Sequence, residues 1–154
     1  MDGYIQVYTG HGKGKTTAAF GLALRAAGAG LRVFIAQFAK SQAYSELKSF
    51  ALFKEQIQLR QYGRGGFIRG KPSAEDIQAA ERGLKEVQAE MQSGQWDIMI
   101  LDEGNIATHF KLFAVEDLLK LMDSKPESME LVITGRNADT RVIERADLAT
   151  EMRE

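Results

Sequence analysis

The chain has 154 residues, 44% of them hydrophobic and 27% charged, with a formal net charge of −1, the profile of a single ordinary globular domain spanning residues 1–154. With no cysteine, and only His11 and His109 to offer imidazole, it excludes disulfides, thiolate nucleophiles and cysteine-ligated metal, and argues against a zinc site. The near-neutral charge gives no general reason to expect nucleic acid; no basic-then-apolar leader and no apolar run of roughly 18 residues can be found, so the expected location is cytoplasmic, with no membrane span.

Residues 4–8 make a short apolar strand. It runs into Tyr8-Thr9-Gly10-His11-Gly12-Lys13-Gly14-Lys15-Thr16-Thr17, which opens an Ala-rich helix expected over residues 15–29. Glycines at a strand-to-helix turn let backbone approach a ligand closely, and the N–H groups of a helix start, backed by the positive end of its dipole, suit an anionic phosphate. Lys15 adds a mobile positive charge and Thr16 a hydroxyl for Mg²⁺. The stretch reads as a phosphate-binding loop, with Gly10, His11, Gly12, Lys13, Gly14, Lys15, Thr16 and Thr17 as candidate nucleotide contacts. It departs from G-x-x-x-x-G-K-[ST] at one point: counted back from Gly14-Lys15-Thr16, the first glycine belongs at Thr9, yet it stands at Gly10. The helix that follows is apolar nearly all round, through Ala18, Ala19, Phe20, Leu22, Ala23, Leu24, Ala26 and Ala27, and is expected to be largely buried.

Residues 31–38, rich in Val, Ile and Phe, suit a strand covered on both faces. A polar stretch over 39–44 precedes a short helix near 45–53, and alternation over 57–62 predicts a less buried strand. Residues 63–73 form one long loop with four glycines and three basic residues around Phe67 and Ile68, a length often found in functional loops. Ser73 caps the next helix, with Glu75 and Asp76 in its first turn. Ile77, Ala80, Leu84, Val87 and Met91 then make one core-facing stripe. A buried strand over 96–101 ends in Asp102-Glu103. A helix over 115–122 exits at Pro126, a strand over 130–133 runs into Thr134-Gly135-Arg136, and a helix near 140–146 and a final short segment over 148–152 close the chain.

Alternating strands and helices with buried strands predict an α/β fold, a mostly parallel sheet with helices on both faces. Right-handed crossovers place residues 10–17, 39–45, 102–103 and 134–136 at one end of that sheet. There Ile98-Met99-Ile100-Leu101 delivers Asp102 and Glu103 in a Walker-B arrangement, where a carboxylate holds Mg²⁺ directly or through water, across from Thr16. Neighbours on a strand face opposite ways, so Asp102 and Glu103 need not share a role. Arg136 stands where a guanidinium could pair with phosphate oxygens, or else with Asp139 or Glu144. His11, on the loop tip, either hydrogen-bonds a nucleotide or faces solvent, and His109 reads as a surface or packing residue. These residues alone describe a Mg-nucleotide-binding protein of the P-loop class and leave its reaction open.

Several short signatures together are more specific. Thr9-Gly10-His11-Gly12-Lys13-Gly14-Lys15-Thr16-Thr17-Ala18-Ala19-Phe20-Gly21, with its late first glycine, resembles the phosphate loop of the ATP:corrinoid adenosyltransferases, which include cob(I)yrinic acid a,c-diamide adenosyltransferases. The likeness continues through Arg25-Ala26-Ala27-Gly28-Ala29-Gly30, Gln37-Phe38-Ala39-Lys40, Gly66-Phe67, Leu101-Asp102-Glu103, Ile133-Thr134-Gly135-Arg136, Ala146-Asp147 and Thr150-Glu151-Met152. This resemblance implies a RecA-like P-loop fold and transfer of the 5′-deoxyadenosyl group of ATP to the Co(I) centre of a corrinoid, with release of triphosphate. It also implies Lys15 and the loop amides on the triphosphate, Thr16 and Glu103 on Mg²⁺, and Phe67 near the corrinoid as a catalytic residue that excludes water. A homodimer and a separate reductase that supplies Co(I) follow from the same resemblance. Arg69 stands where many longer members carry an aromatic residue, and Gly104-Asn105 where Leu-Thr or Ile-Asn is common. The chain stops at Glu154, where members usually continue in a glycine-rich tail that helps close the corrinoid side; either it is a trimmed form or its corrinoid site differs. The alternative readings are a P-loop ATPase or small-molecule kinase, and a non-catalytic nucleotide- or corrinoid-binding module.

Overall fold

The computed structural model describes residues 2–39, 44–63, 68 and 70–154. Phe67 and Arg69, the two notable positions of the long loop, lie outside the described residues.

Six strands form one sheet: β1 (Ile5–Thr9), β2 (Val33–Phe38), β3 (Ile57–Tyr62), β4 (Ile98–Asp102), β5 (Glu130–Thr134) and β6 (Leu148–Glu151). Their spatial order is β3-β2-β4-β5-β1-β6, and every pairing is parallel. The helices are α1 (Lys15–Gly28), α2 (Ser45–Phe50), α3 (Ala74–Gln92), α4 (Gly104–His109), α5 (Val115–Asp123) and α6 (Thr140–Arg145). The arrangement is the helix-covered parallel α/β sheet expected from the alternating pattern, and it is consistent with the RecA-like P-loop fold that the resemblance implies.

Side-chain parity explains how one sheet carries two cores. Val33 and Ile35 of β2, Ile98 and Ile100 of β4 and Val132 of β5 pack under α1 with Ala19, Phe20, Ala23 and Phe50. The intervening Phe34, Ala36, Phe38, Met99, Leu101, Leu131 and Ile133 face the other way, against Val87 and Met91 of α3 and Leu118 and Met122 of α5. Successive strand residues point to opposite faces, so strands apolar at every position need a helical layer on each side. The capping box at Ser73 is present: its hydroxyl accepts from the Asp76 N–H at 3.1 Å and the Asp76 carboxylate accepts from the Ser73 N–H at 2.9 Å.

Two expectations change. Helix α1 buries one side only: Ala19, Ala23, Ala26 and Ala27 are covered, whereas Ala18 is exposed and Leu24 is 48% exposed. A helix lying on a sheet has a single face to bury, and alanine and leucine on the outer side reflect helix propensity, not packing. The final segment is a sixth strand. Leu148 pairs with Gln6 and Glu151 with Thr9, so β6 extends the sheet beyond β1 although all four of its residues are exposed.

The topology also positions the site. From β1 the chain crosses by α1 to β2 on one side, whereas from β5 it crosses by α6 to β6 on the other. Neighbouring strands β1 and β5 therefore send their following loops in opposite directions, and a crevice opens between them at the carboxyl ends. Among the described residues, no helix is long and apolar enough to cross a membrane.

Candidate active site

The loop between β1 and α1 occupies that crevice. Gly10 takes φ of 99°, and Gly14, at the start of α1, takes φ of 114°. A side chain at position 10 would also run into the main-chain carbonyl of Met152. Position 9 has no such restriction, and its threonine is used: Thr9 Oγ1 accepts from the Ala138 N–H at 3.2 Å. The displaced first glycine therefore has a physical cause, the strand beside the loop.

Lys15 is only 9% exposed, and its Nζ donates to the Gly12 carbonyl at 2.6 Å. Burial, and then the nearby positive charge of Arg136, hold its ammonium below the ordinary lysine value, with Glu103 acting the other way. Arg136 is exposed, its Nη2 3.5 Å from the His11 carbonyl. The alternative partners for Arg136 are Asp139 and Glu144, and the Asp139 carboxylate is instead bound by Arg141 at 3.1 Å.

Parity sets the carboxylates apart. Asp102 continues the Ile98–Ile100 row toward α1 and is fully buried. Its Oδ1 accepts from Thr16 Oγ1 at 2.7 Å and from Thr134 Oγ1 at 2.8 Å, and its Oδ2 accepts from Gln37 Nε2 at 2.8 Å. Gln37 Oε1 in turn accepts from Gln61 Nε2 at 2.7 Å. Gln37, Asp102 and Thr134 thus form a polar row across the ends of three strands, just beyond the apolar rows on the α1 side. Glu103 turns out of the strand with φ of 61°, its N–H donating to Thr134 Oγ1 at 3.1 Å, and it lines the cleft half-buried. A left-handed backbone at a non-glycine costs roughly 1–3 kcal/mol and is concentrated at functional sites. Asn105, fully buried behind it, donates to the Gly135 carbonyl at 3.0 Å and ties α4 to the turn after β5.

The cleft has a volume of about 610 Å³. Its lining is in part polar, from His11, Gly12, Lys13, Gly14, Lys15, Thr16, Thr17, Glu103 and Arg136, and in part apolar, from Ala39, Tyr44, Ile68, Ile106 and Phe110. Every described candidate residue lies in it except Gly10, at its rim in sequence, and Asp102, buried beneath Thr16. His109 is exposed and lines a different hollow with Lys111 and Arg141. Sequence reasoning missed Ile106 and Phe110; their four-residue spacing directly after Asp102-Glu103 puts them on one helical face and was the available signal. It also missed Gln37 and Thr134, each a polar residue at or next to the end of an apolar strand.

Thr16 hydroxyl and the Asp102 and Glu103 carboxylates are hard oxygen donors beside a cationic loop. Among the described residues, no group of three His, Cys, Asp or Glu side chains could hold a metal. That donor set fits Mg²⁺, which keeps waters and takes one or two carboxylates together with substrate phosphates.

Comparison with known proteins bears on which nucleotide chemistry this cleft serves. The family described as "ATP:corrinoid adenosyltransferase BtuR/CobO/CobP" matches over residues 1–154. A corrinoid adenosyltransferase of Pseudomonas aeruginosa is 33% identical over 151 residues, 97% of this chain and 74% of that protein. One from Sinorhizobium sp is 34% identical over 153 residues, 97% and 72% respectively. The corrinoid adenosyltransferase of Escherichia coli K12 is 28% identical over 151 residues, 98% and 76%. With the match running from the strand before the phosphate loop through to β6, the chain belongs to the ATP:corrinoid adenosyltransferase family.

Proposed function

We propose that the cleft at the carboxyl ends of β1, β4 and β5 grips the triphosphate of ATP while the ribose 5′-carbon is attacked by the Co(I) of a reduced corrinoid. The cobalt–carbon bond forms as the carbon–oxygen bond breaks. Cobalt supplies the electron pair and becomes Co(III), and the whole triphosphate leaves with the pair from the broken bond. The observation carrying this reading is Lys15, a buried ammonium whose Nζ is held against the Gly12 carbonyl of the phosphate loop. Leaving-group charge develops on the triphosphate, so donors fixed in advance at that position lower the barrier. No base is needed to activate water.

In this reading Lys15, the loop amides and Arg136 bind the triphosphate. Thr16 and Glu103 hold Mg²⁺, with Asp102 orienting Thr16 from below. Magnesium, when bound, neutralises charge on the phosphate oxygens. Ile106 and Phe110 keep water from the apolar part of the cleft. Phe67 is proposed to meet the corrinoid, and its neighbours in sequence include Ile68, which does line the cleft. The chain is read as one P-loop domain that acts as a homodimer in the cytoplasm, supplied with Co(I) by a separate reductase, as befits its family.

The test is incubation with ATP, Mg²⁺ and chemically reduced corrinoid. A light-sensitive cobalt–carbon product is expected; ATP consumption without it would favour the ATPase or kinase reading. Glu103→Gln should raise the magnesium concentration for half-maximal activity roughly tenfold, the lower end for losing a metal-orienting group; an unaltered magnesium titration would remove Glu103 from the metal.

The environment of Lys15 also predicts a pH effect. Its protonated form binds the anion, so triphosphate affinity should fall as pH rises through its lowered pKa. Arg136→Gln removes one cause of that lowering, so the Lys15 pKa rises and the alkaline loss moves to higher pH, even though affinity at neutral pH is weaker. The pH dependence of ATP affinity in both proteins checks this; coincident profiles would separate the two cations.

A further inference from the structure

Beyond Glu151, strand β6 runs on past the phosphate loop and is bonded to it. The Met152 N–H donates to the Thr9 carbonyl at 2.9 Å, and the Met152 carbonyl accepts from the Gly12 N–H at 2.8 Å. Two loop glycines record how close this approach is. At position 10 a Cβ would strike the Met152 carbonyl, and at position 12 it would lie 2.5 Å from the Arg153 carbonyl oxygen. Met152 Sδ would stand 3.2 Å from a Cβ at position 14. Every glycine of the loop therefore meets residue 152 or 153.

We infer that Met152 is a positioning residue for the phosphate loop, its main chain acting as a splint that sets the path of residues 9–12. The inference rests on the reading that the triphosphate of ATP occupies this loop. The Gly12 N–H, spent on Met152, does not serve the anion; the later amides and Lys15 do. The carbonyl of the same glycine, one φ/ψ pair further along, is the acceptor that holds Lys15 Nζ. The splint thus reaches the key cation through one residue, Gly12. A purely structural role for β6 would look different. Its four residues are all exposed, so it buries little apolar surface, and losing its last bonds should hardly change global stability.

The test compares Met152→Pro, which lacks the donor to Thr9, with Met152→Leu, which keeps it. Inorganic triphosphate with Mg²⁺ is the binding probe. Met152→Pro should weaken its binding roughly tenfold, the scale of one or two backbone hydrogen bonds, and raise the KM for ATP in parallel. The KM for reduced corrinoid should stay within about twofold, the thermal midpoint should shift by a few degrees at most, and Met152→Leu should behave as the parent. Unchanged triphosphate affinity in Met152→Pro, or an equal loss in Met152→Leu, would overturn the inference. Should Met152→Pro not fold, amide hydrogen exchange of the parent protein decides: protected Gly12 and Met152 amides at this exposed edge support the splint, and rapid exchange at both refutes it. A parent protein that binds triphosphate but makes no cobalt–carbon product would refute the transferase reading and leave the splint standing.

Discussion

Lys15→Ala is expected to lower kcat/KM for ATP by roughly 10²–10³-fold, about 3–4 kcal/mol of transition-state stabilisation, the range seen when one preorganised charge-stabilising donor is removed. The size of the effect follows from burial. An exposed lysine would be screened by water, but this ammonium is almost covered, and among the described residues it donates to the Gly12 carbonyl. An arriving triphosphate gives it a counter-charge in direct contact. The same reasoning predicts that the fold survives. A buried cation is costly to desolvate, and its replacement by alanine removes that cost along with a single hydrogen bond. Thermal unfolding should therefore change little while ATP-dependent turnover collapses. Equal activity in the variant would remove Lys15 from the reaction, and a collapse of both activity and fold would make it a structural residue.

Asp102 is expected to behave in the opposite way, with a large structural effect. Asp102→Ala would leave the hydroxyls of Thr16 and Thr134 and the carboxamide of Gln37 without their common acceptor in a fully buried position. Each buried donor left unpaired costs about 1–3 kcal/mol, so the total should reach roughly 3 kcal/mol or more. Asp102→Asn separates charge from shape. Thr16 and Thr134 can still donate to the amide oxygen, and Gln37 can accept from the amide nitrogen if its own carboxamide turns, with Gln61 following. Stability should then be lost by less than about 2 kcal/mol, while Mg²⁺ affinity still falls for want of the negative charge beneath Thr16. Urea unfolding of the two variants, with magnesium titration of Asp102→Asn, checks the pair. If both variants unfold at the parent midpoint, the polar row does not stabilise the sheet end.

The same residues show how far the chain could be read before its structure was known. The phosphate loop was legible because its chemistry is local: strand, glycines, Lys15, Thr16 and helix follow one another directly. The sheet was legible because β2 and β4 are apolar at every position before Gln37 and Asp102, which only a strand covered on both sides sustains. The partners of Asp102 were not legible. Gln37 and Thr134 lie 65 and 32 positions away, and only the pairing of Gln37 beside Asp102 in the sheet register brings them together. Nor was β6. Leu148 to Glu151 are all exposed, so no hydrophobic pattern marks them, and backbone bonds to β1 alone make them a strand. The all-round apolarity of α1 misled for the converse reason, since alanine serves helix propensity as well as cores. The late first glycine at position 10 was visible from the start, but its cause, the Met152 carbonyl, is contributed from the far end of the chain.

The central claim is that carbon, not phosphorus, is the atom attacked. Phosphorus-31 NMR of a complete reaction with ATP, Mg²⁺ and reduced corrinoid reads this directly. The account predicts inorganic triphosphate, appearing in step with the alkylated corrinoid and absent when the corrinoid is oxidised. ADP or orthophosphate as the first product would contradict it.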